Sequence, residues 1–286
     1  QQSHSVSASG GTDKTKYFMS LGFTDQKGAI VSNSLRKYSF RANLDQKVTN
    51  FLTFGITSGV TYQKNLGPLA GSNNLSGNIF AATRMLPNVA IYSTTDITGY
   101  NISADRRSLG PGANLSPISD NIPNIRFVLD NNVRQSQTIR LIGSTYLEAK
   151  IMDGLKFKTQ LGIDGSYIED FVYTDPRHGD GFSSNGSMSQ AYSPFFRWNW
   201  QNILSYTKSI NGDHNIDVTL VSELQKQRSS FFQANVSNLL NVYFNQNITS
   251  GTFITPTISG GLTLNGIESY LGRLNYNYKN KYYIIG

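Results

Sequence analysis

The feature that most restricts the fold is a strict alternation of apolar and polar residues in long segments. In LKFKTQLGIDGSY, one side of an extended chain carries Leu155, Phe157, Thr159, Leu161, Ile163, Gly165 and Tyr167. The other side carries Lys156, Lys158, Gln160, Gly162, Asp164 and Ser166. Successive side chains of a strand point to opposite faces, so the pattern predicts a strand between an apolar and a polar environment. A soluble antiparallel sheet alternates in the same way, so the rest of the chain must decide.

The same period of two recurs along the chain, whereas helical periodicity is nowhere sustained. The predicted strands are His4 to Ser9, Lys16 to Thr24, Lys37 to Leu44, Phe51 to Tyr62, Thr138 to Ile151, Leu155 to Tyr167, Phe195 to Lys208, Asn215 to Gln227, Ile267 to Tyr278 and Lys281 to Ile284. Several exceed the usual five or six residues and reach the roughly nine to eleven that a tilted strand needs to cross a bilayer. The sequence therefore predicts an all-β fold of about ten strands.

The predicted links alternate between short and long. The short links are GGTDKT, DQKVTN, 152 to 154, 211 to 214 and 279 to 280, and the long ones are 25 to 36, 63 to 137, 168 to 194 and 228 to 266. In an antiparallel up-and-down sheet, every second link lies at the same end. Short turns at one rim and long loops at the other are typical of outer-membrane barrels, with short periplasmic turns and long extracellular loops. A β-sandwich mixes both kinds of link at both ends.

Composition supports this class and excludes others. Only 15% of the residues are charged, against roughly 25% in soluble domains, and Tyr and Phe number 16 each. The net charge of +7 comes from scattered residues, which argues against a nucleic-acid partner. No segment approaches the 18 apolar residues of a membrane helix. The absence of cysteine excludes disulfides, thiolate catalysis and cysteine-based metal sites.

Aromatic residues give an independent indication of the membrane-facing side. Phe196, Trp198, Trp200, Leu204 and Tyr206 share one face of a predicted strand, and Tyr270, Leu274, Tyr276 and Tyr278 share a face of another. Facing lipid, such rings form the girdles of a membrane barrel; in a soluble sandwich they would pack in the core. The opposite faces carry Lys156, Lys158, Asp217, Thr219 and Glu223, which we expect to line the lumen.

The residues give no indication of catalysis. His178, with Asp175 and Asp180, lies in DPRHGDG, but the spacing and terminal Glu of a calcium loop are missing, so a solvated polar loop is predicted. His4 is far from the others, and His214 is predicted to be a turn residue. Nucleophile-elbow, zinc-protease and phosphate-loop motifs are absent, so we predict no enzyme and no catalytic, metal or cofactor residues.

Several aromatic residues fall in the predicted loops. They could stack on sugar rings, anchor the loops or contact a partner protein, and the substrate-binding residues remain unassigned. These residues are Tyr92, Tyr100, Phe182, Tyr192 and Tyr243. The stretch 101 to 124 combines polar residues with Ile, Leu and Tyr, which predicts a large loop that packs on itself.

Four segments are similar to hairpins of a known family. They are residues 17 to 55, 144 to 164, 212 to 225 and LGRLNYNYKNKYY at 271 to 283, and the last is the most specific because tyrosines flank a tight Lys-Asn turn. The chain resembles TonB-dependent outer-membrane transporters of the SusC/RagA type from Bacteroidetes-like bacteria. The resemblance implies a barrel of about 22 strands preceded by a plug domain.

Further expectations follow from this resemblance. Residues 1–286 are expected to be a partial barrel domain, its amino-terminal half, without the plug that contacts TonB. The implied function is active import of oligosaccharides or peptides across the cell outer membrane. The implied partners are a SusD-like surface lipoprotein, TonB through the plug, and outer-membrane lipid, with no cofactor and no nucleic acid. The alternatives are a passive porin or siderophore receptor, a secreted β-sandwich adhesin or carbohydrate-binding protein, and a self-contained small barrel.

Overall fold

A computed structural model describes residues 1–67, 82–83, 85, 87–112, 122–240, 248 and 253–286. In these residues ten strands form one sheet, in sequence order. They are β1 (Gln2–Gly11), β2 (Thr15–Lys27), β3 (Ser34–Lys47), β4 (Leu52–Leu66), β5 (Val133–Met152), β6 (Leu155–Thr174), β7 (Ser187–Ile210), β8 (His214–Leu239), β9 (Phe253–Tyr278) and β10 (Tyr282–Ile285). Two short helices are described, α1 (Ile125–Asn131) and α2 (Asp180–Ser183).

The sheet is an antiparallel up-and-down meander, as predicted. Each described strand pairs only with its neighbours in sequence, and every pairing is antiparallel. A sandwich needs two facing sheets with crossing connections, so this order excludes the β-sandwich alternative for the described residues. Among the described residues, no helix is long and apolar enough to cross a membrane.

Most strands are longer than the sequence predicted. β6 continues past Tyr167 to Thr174, β7 begins at Ser187 rather than Phe195, and β9 begins at Phe253 rather than Ile267. These extensions lose the clean alternation because, on β6, Glu169 falls on the outer face, whereas Ile168 and Val172 fall on the lumen face. Phe171, Tyr173, Met188, Val236 and Leu239 form a buried cluster at this end of the sheet.

The long links are correspondingly shorter than predicted. They are residues 28–33, 67–132, 175–186 and 240–252, whereas the short ones are 12–14, 48–51, 153–154, 211–213 and 279–281. The alternation of short and long links is therefore confirmed. The chain turns tightly at one end, where Lys279 and Asn280 both have positive φ, as the two central residues of a type I′ turn require.

The longest link contains helix α1, which periodicity did not predict because it has only two turns. Asn124 caps its first turn, since its side-chain oxygen accepts a hydrogen bond from the backbone N–H of Phe127 at 3.3 Å. Its buried residues Ile125, Phe127 and Val128 face the rest of the link. The self-packing expected for 101 to 124 is present where the structure describes it, because Ile102, Leu109 and Ile122 are buried.

Candidate functional site

The two faces of the sheet differ in enclosure. The outer face, which carries Leu161 and Trp200, leaves these side chains 43% and 46% exposed. The lumen face, which carries Asp164 and Arg197, encloses Asp164 to 8% exposure although the sheet is a single layer. Around Asp164, the polar face predicted to line a lumen is therefore the more enclosed of the two.

Asp164 is the centre of an ion cluster on the lumen face. Arg140 of β5 donates from Nε to Oδ1 at 3.2 Å and from Nη2 to Oδ2 at 3.0 Å. Arg197 of β7 donates from Nη2 to Oδ2 at 3.2 Å. The carboxylate thus holds two guanidinium groups from the strands on either side, and the cluster keeps a net positive charge. Both arginine side chains remain about half exposed and can contact a ligand in the lumen.

A second polar group lies nearer the short-turn rim. Tyr146 donates from its hydroxyl to Asp45 at 2.7 Å, and the ammonium of Lys158 lies 4.3 Å from the centre of the same ring. This contact requires Gly55, because a Cβ there would lie 2.0 Å from the Tyr146 ring. Gln201 donates to Glu223 at 2.6 Å farther along the sheet. The lumen wall therefore presents cations, carboxylates and amides together.

At the long-loop rim, His178 joins two distant links. Its Nδ1 lies 2.7 Å from the carbonyl of Arg106, and its Nε2 lies 2.7 Å from the backbone nitrogen of Asn124. Because an amide can only donate, Nε2 accepts and Nδ1–H donates, so the ring is neutral. Burial lowers the pKa of His178, which keeps this form near neutral pH. The ring also packs edge-on against Phe127 at 5.2 Å.

The prediction of a solvated DPRHGDG loop is wrong. His178 is 1% exposed and Asp175 is 3% exposed, because the 67–132 link covers them. Arg177 donates to both oxygens of Asp175 at 2.9 and 2.7 Å and to Asn131 at 2.9 Å. The described residues contain no group of three carboxylates or histidines that could hold a metal ion. These loop residues instead hold the 175–186 link against the 67–132 link at the long-loop rim.

His214 also differs from its predicted role. It is the first residue of β8 rather than a turn residue. Its Nδ1 lies 2.7 Å from the hydroxyl of Tyr276, and its ring lies 4.8 Å from that of Tyr278. Together with Tyr282, these rings form an aromatic cluster at the short-turn rim.

A matching aromatic row crosses the outer face toward the long loops. The rings of His4 and Phe23, of Phe23 and Tyr38, and of Tyr38 and Tyr62 lie 6.5, 5.2 and 6.3 Å apart. Register places these residues side by side on β1 to β4. Two aromatic zones on either side of an apolar band are the arrangement that headgroup boundaries favour.

The loop aromatics separate into anchors and exposed residues. Tyr100 is an anchor, since its hydroxyl donates to Asp130 at 2.8 Å and its ring packs on Phe127 at 5.2 Å. Tyr92 and Phe182 are 60% and 43% exposed. Tyr192 lies on β7 and not in a loop, and its ring packs on Tyr167 at 6.0 Å. Tyr243 lies outside the described residues.

Known proteins resemble the chain in sequence and in fold. No protein-family model matches it. TonB-dependent receptors P3 and P26 of Formosa agariphila are 27% and 24% identical to it over 285 and 282 residues. These alignments cover 96% and 97% of this chain but 26% of each receptor, so the chain spans about a quarter of the relatives it matches.

Solved structures of the RagAB peptide importer have the same fold. The open-open state matches with a TM-score of 0.75 at 16% identity, covering 99% of this chain and 30% of that one. The closed-closed state matches with a TM-score of 0.73 at 17% identity. The predicted resemblance to TonB-dependent transporter barrels is confirmed, and with it the outer-membrane β-barrel class and location.

Proposed function

We propose that the chain is part of an outer-membrane, TonB-dependent active importer of oligosaccharides or peptides that works with a SusD-like lipoprotein. The observation that carries this proposal is the agreement of two comparisons over nearly the whole chain. Sequence similarity leads to TonB-dependent receptors, and fold similarity leads to the RagAB peptide importer. The described residues contribute the wall of the barrel and part of its outer rim.

Among the two cargo classes, the lumen wall favours peptides. A peptide carries an ammonium and a carboxylate at its ends, as well as amides along its length. The half-exposed guanidinium groups of Arg140 and Arg197 can bind a carboxylate, and Glu223 can bind an ammonium. Neutral oligosaccharides are usually held by aromatic platforms, whereas charge clusters dominate this wall.

Two parts of the proposal, the contact with TonB and the SusD-like partner, involve protein regions that the contacts described above do not include. The TonB-contacting segment is expected in a plug domain, and assignment of residues 1–286 to the amino-terminal half of the barrel stays a prediction. The SusD-like partner would cover the long-loop rim. The exposed side chains of Tyr92 and Ile97 support a protein contact there, at 60% and 92% exposure on a rim that His178 holds together.

Uptake by intact cells tests the proposal. Cells lacking the gene are compared with wild-type cells and with a strain lacking TonB, using labelled peptides and labelled oligosaccharides separately. We expect saturable peptide uptake that is lost in both mutants. Uptake that survives the loss of TonB would identify a passive porin. Normal uptake of both cargo classes with a growth defect only under iron limitation would identify a siderophore receptor.

A further inference from the structure

Two cations lie on the outer face, where the apolar side chains otherwise face lipid. Lys226 and Arg228 of β8 are both exposed. Register sets Lys226 opposite Trp198 of β7 and Gly266 of β9, and sets Arg228 opposite Phe196 and Leu264. These six residues line one groove, which we call the basic groove. An outward-facing charge in a membrane barrel is costly unless it lies at an interface.

The register places the basic groove at the upper boundary of the apolar band. β8 begins at His214, twelve residues before Lys226. β6 begins at Leu155, twelve residues before Tyr167, which register aligns through Ile139 with Tyr62 of the aromatic row near the long loops. At roughly 3.3 Å per residue and a tilt of about 40°, twelve residues span about 30 Å. Lys64 of β4 is also twelve residues from the start of its strand at Leu52. The long-loop rim is extracellular, so the groove lies at the outer leaflet's headgroups.

Neither cation has an acidic partner in the described part of the chain. The nearest carboxylate on the same face, that of Glu268, lies opposite Leu224 and accepts a hydrogen bond from the Tyr270 hydroxyl at 2.6 Å. In contrast, the boundary cation Arg36 on β3 pairs with Asp25 at 3.4 Å. Lys226 and Arg228 thus present two uncompensated positive charges, about 7 Å apart along the strand.

The surroundings favour an amphipathic anion over a free one. Trp198 and Phe196 offer apolar surfaces beside the charges, and Gly266 places no side chain next to Lys226. Below the groove, the outer face of β8 continues with Leu224, Ser222, Leu220, Val218 and Ile216 and is mostly apolar. A lipid with a phosphorylated head can place its phosphates against the cations and its acyl chains along this surface.

We propose that the basic groove binds the phosphate groups of an outer-leaflet glycolipid, such as the bisphosphorylated lipid A that anchors lipopolysaccharide. Binding there would fix how β7, β8 and β9 are oriented in the outer leaflet. The proposal requires only the outer-membrane location and not the transport activity. Its test therefore does not depend on the cargo proposed above.

The test is a lipid titration of the full-length protein in detergent, followed by native mass spectrometry. The variants are Lys226→Gln/Arg228→Gln and a control, Lys64→Gln/Lys208→Gln, which also removes two outer-face cations but lies outside the groove. The probes are bisphosphorylated lipid A, the same glycolipid without phosphates, and inorganic phosphate as competitor. Cations near the membrane surface attract anionic lipid. Removing either Lys226 or Arg228 should therefore weaken lipid A binding about fivefold, and removing both should weaken it about 30-fold.

We expect the control variant to bind lipid A within about twofold of the wild type, and the glycolipid without phosphates to bind weakly to all three proteins. Equal affinity of the wild type and the groove variant would overturn the proposal. Equal loss in the control would mean that lipid responds to total charge and not to this groove. Competition by inorganic phosphate at lipid concentrations would assign the site to a free anion and overturn the lipid proposal.

Discussion

Asp164 and its two arginines combine enclosure with access to the lumen. The carboxylate is almost fully enclosed and accepts three hydrogen bonds, so its charge is well compensated. The arginines are half exposed, so water screens part of their attraction and they can turn toward a ligand. The cluster therefore adds moderately to stability and leaves two donors available on the lumen face.

Replacing Asp164 with Ala should lower the free energy of unfolding by about 1 to 2 kcal/mol. The loss comes from three charge-assisted hydrogen bonds and is limited because the freed arginines can hydrate. Urea unfolding of the full-length protein in lipid vesicles measures the change. Gln227→Ala is the matched control, since Gln227 lies opposite Arg197 and is neutral. Equal effects of both substitutions would show that the ion cluster contributes nothing specific.

Acid should loosen the long-loop rim through His178. Its pKa is lowered in the folded protein, so the unfolded loop binds a proton more readily. The stabilisation is complete above the ordinary histidine pKa of about 6.5 and is lost as pH falls from there toward the folded pKa. A proton on Nε2 removes the acceptor for the Asn124 N–H. It also places a positive charge in a buried site near Arg106, Asp96 and Asp105.

Hydrogen exchange of residues 122–132 between pH 7 and pH 5, corrected for the intrinsic pH dependence of exchange, measures this effect. We expect protection in the wild type to fall with pH. In His178→Gln the amide can still accept and donate but does not titrate, so protection should depend much less on pH. A wild type whose corrected protection is constant across this range would contradict the assignment of His178 as the titrating group.

The role of His178 illustrates what could not be predicted at the residue scale. The stretch DPRHGDG lacks the spacing and terminal Glu of a calcium loop, so the local sequence predicts a solvated polar loop. Its burial arises from contacts with Arg106 and Asn124, which lie 72 and 54 residues away in sequence. A local pattern contains no information on such contacts.

At the element scale, the faces of the strands could be predicted but their ends could not. Leu161 and Asp164 lie on the predicted sides because a period of two follows directly from strand geometry. In this chain the signal is clear where one face lies toward lipid and the other toward the lumen. Beyond the membrane boundary that division ends, since Glu169 lies on the outer face and Val172 on the lumen face, so the alternation fades before the strand ends.

Arginine at position 161 should be far more costly than arginine at position 160. Leu161 lies on the outer face, six residues from both Leu155 and Tyr167, which places it near the bilayer midplane. There Leu161→Arg should cost about 2 to 4 kcal/mol, whereas Gln160→Arg should change stability by less than about 0.5 kcal/mol. Folding titrations of the full-length protein into vesicles compare them. Equal tolerance would refute the assignment of the two faces.

Two glycines of β4 provide a test of close packing on the lumen face. A Cβ at Gly55 would overlap the Tyr146 ring, whereas a Cβ at Gly59 would make ordinary contact with Ile142 at 3.5 Å. Gly55→Ala should therefore displace Tyr146 from Asp45 and cost about 1 to 3 kcal/mol. Gly59→Ala should be close to neutral. If unfolding titrations rank the two variants in the opposite order, the close packing of Tyr146 over β4 is wrong.

At the scale of the whole molecule, the barrel class was predictable because link lengths report topology. Alternating short and long links are typical of a meander with two unlike rims, whatever the details of each strand. The basic groove could not be predicted in the same way. Lys226 and Trp198 become neighbours only through the register of β7 and β8, which the sequence of either strand does not specify.

The 286-residue chain expressed alone should associate in water. In the described residues, β1 pairs only with β2, and residues 253–273 of β9 have no second partner strand, so both edges offer unpaired backbone groups. The outer face adds a broad apolar surface that includes Leu161, Trp200 and Leu220, each at least 43% exposed. Sedimentation velocity without detergent should show oligomers whose size grows with concentration. The full-length protein in detergent is the control, and a stable, monodisperse 286-residue chain in plain buffer would contradict a lipid-facing outer surface.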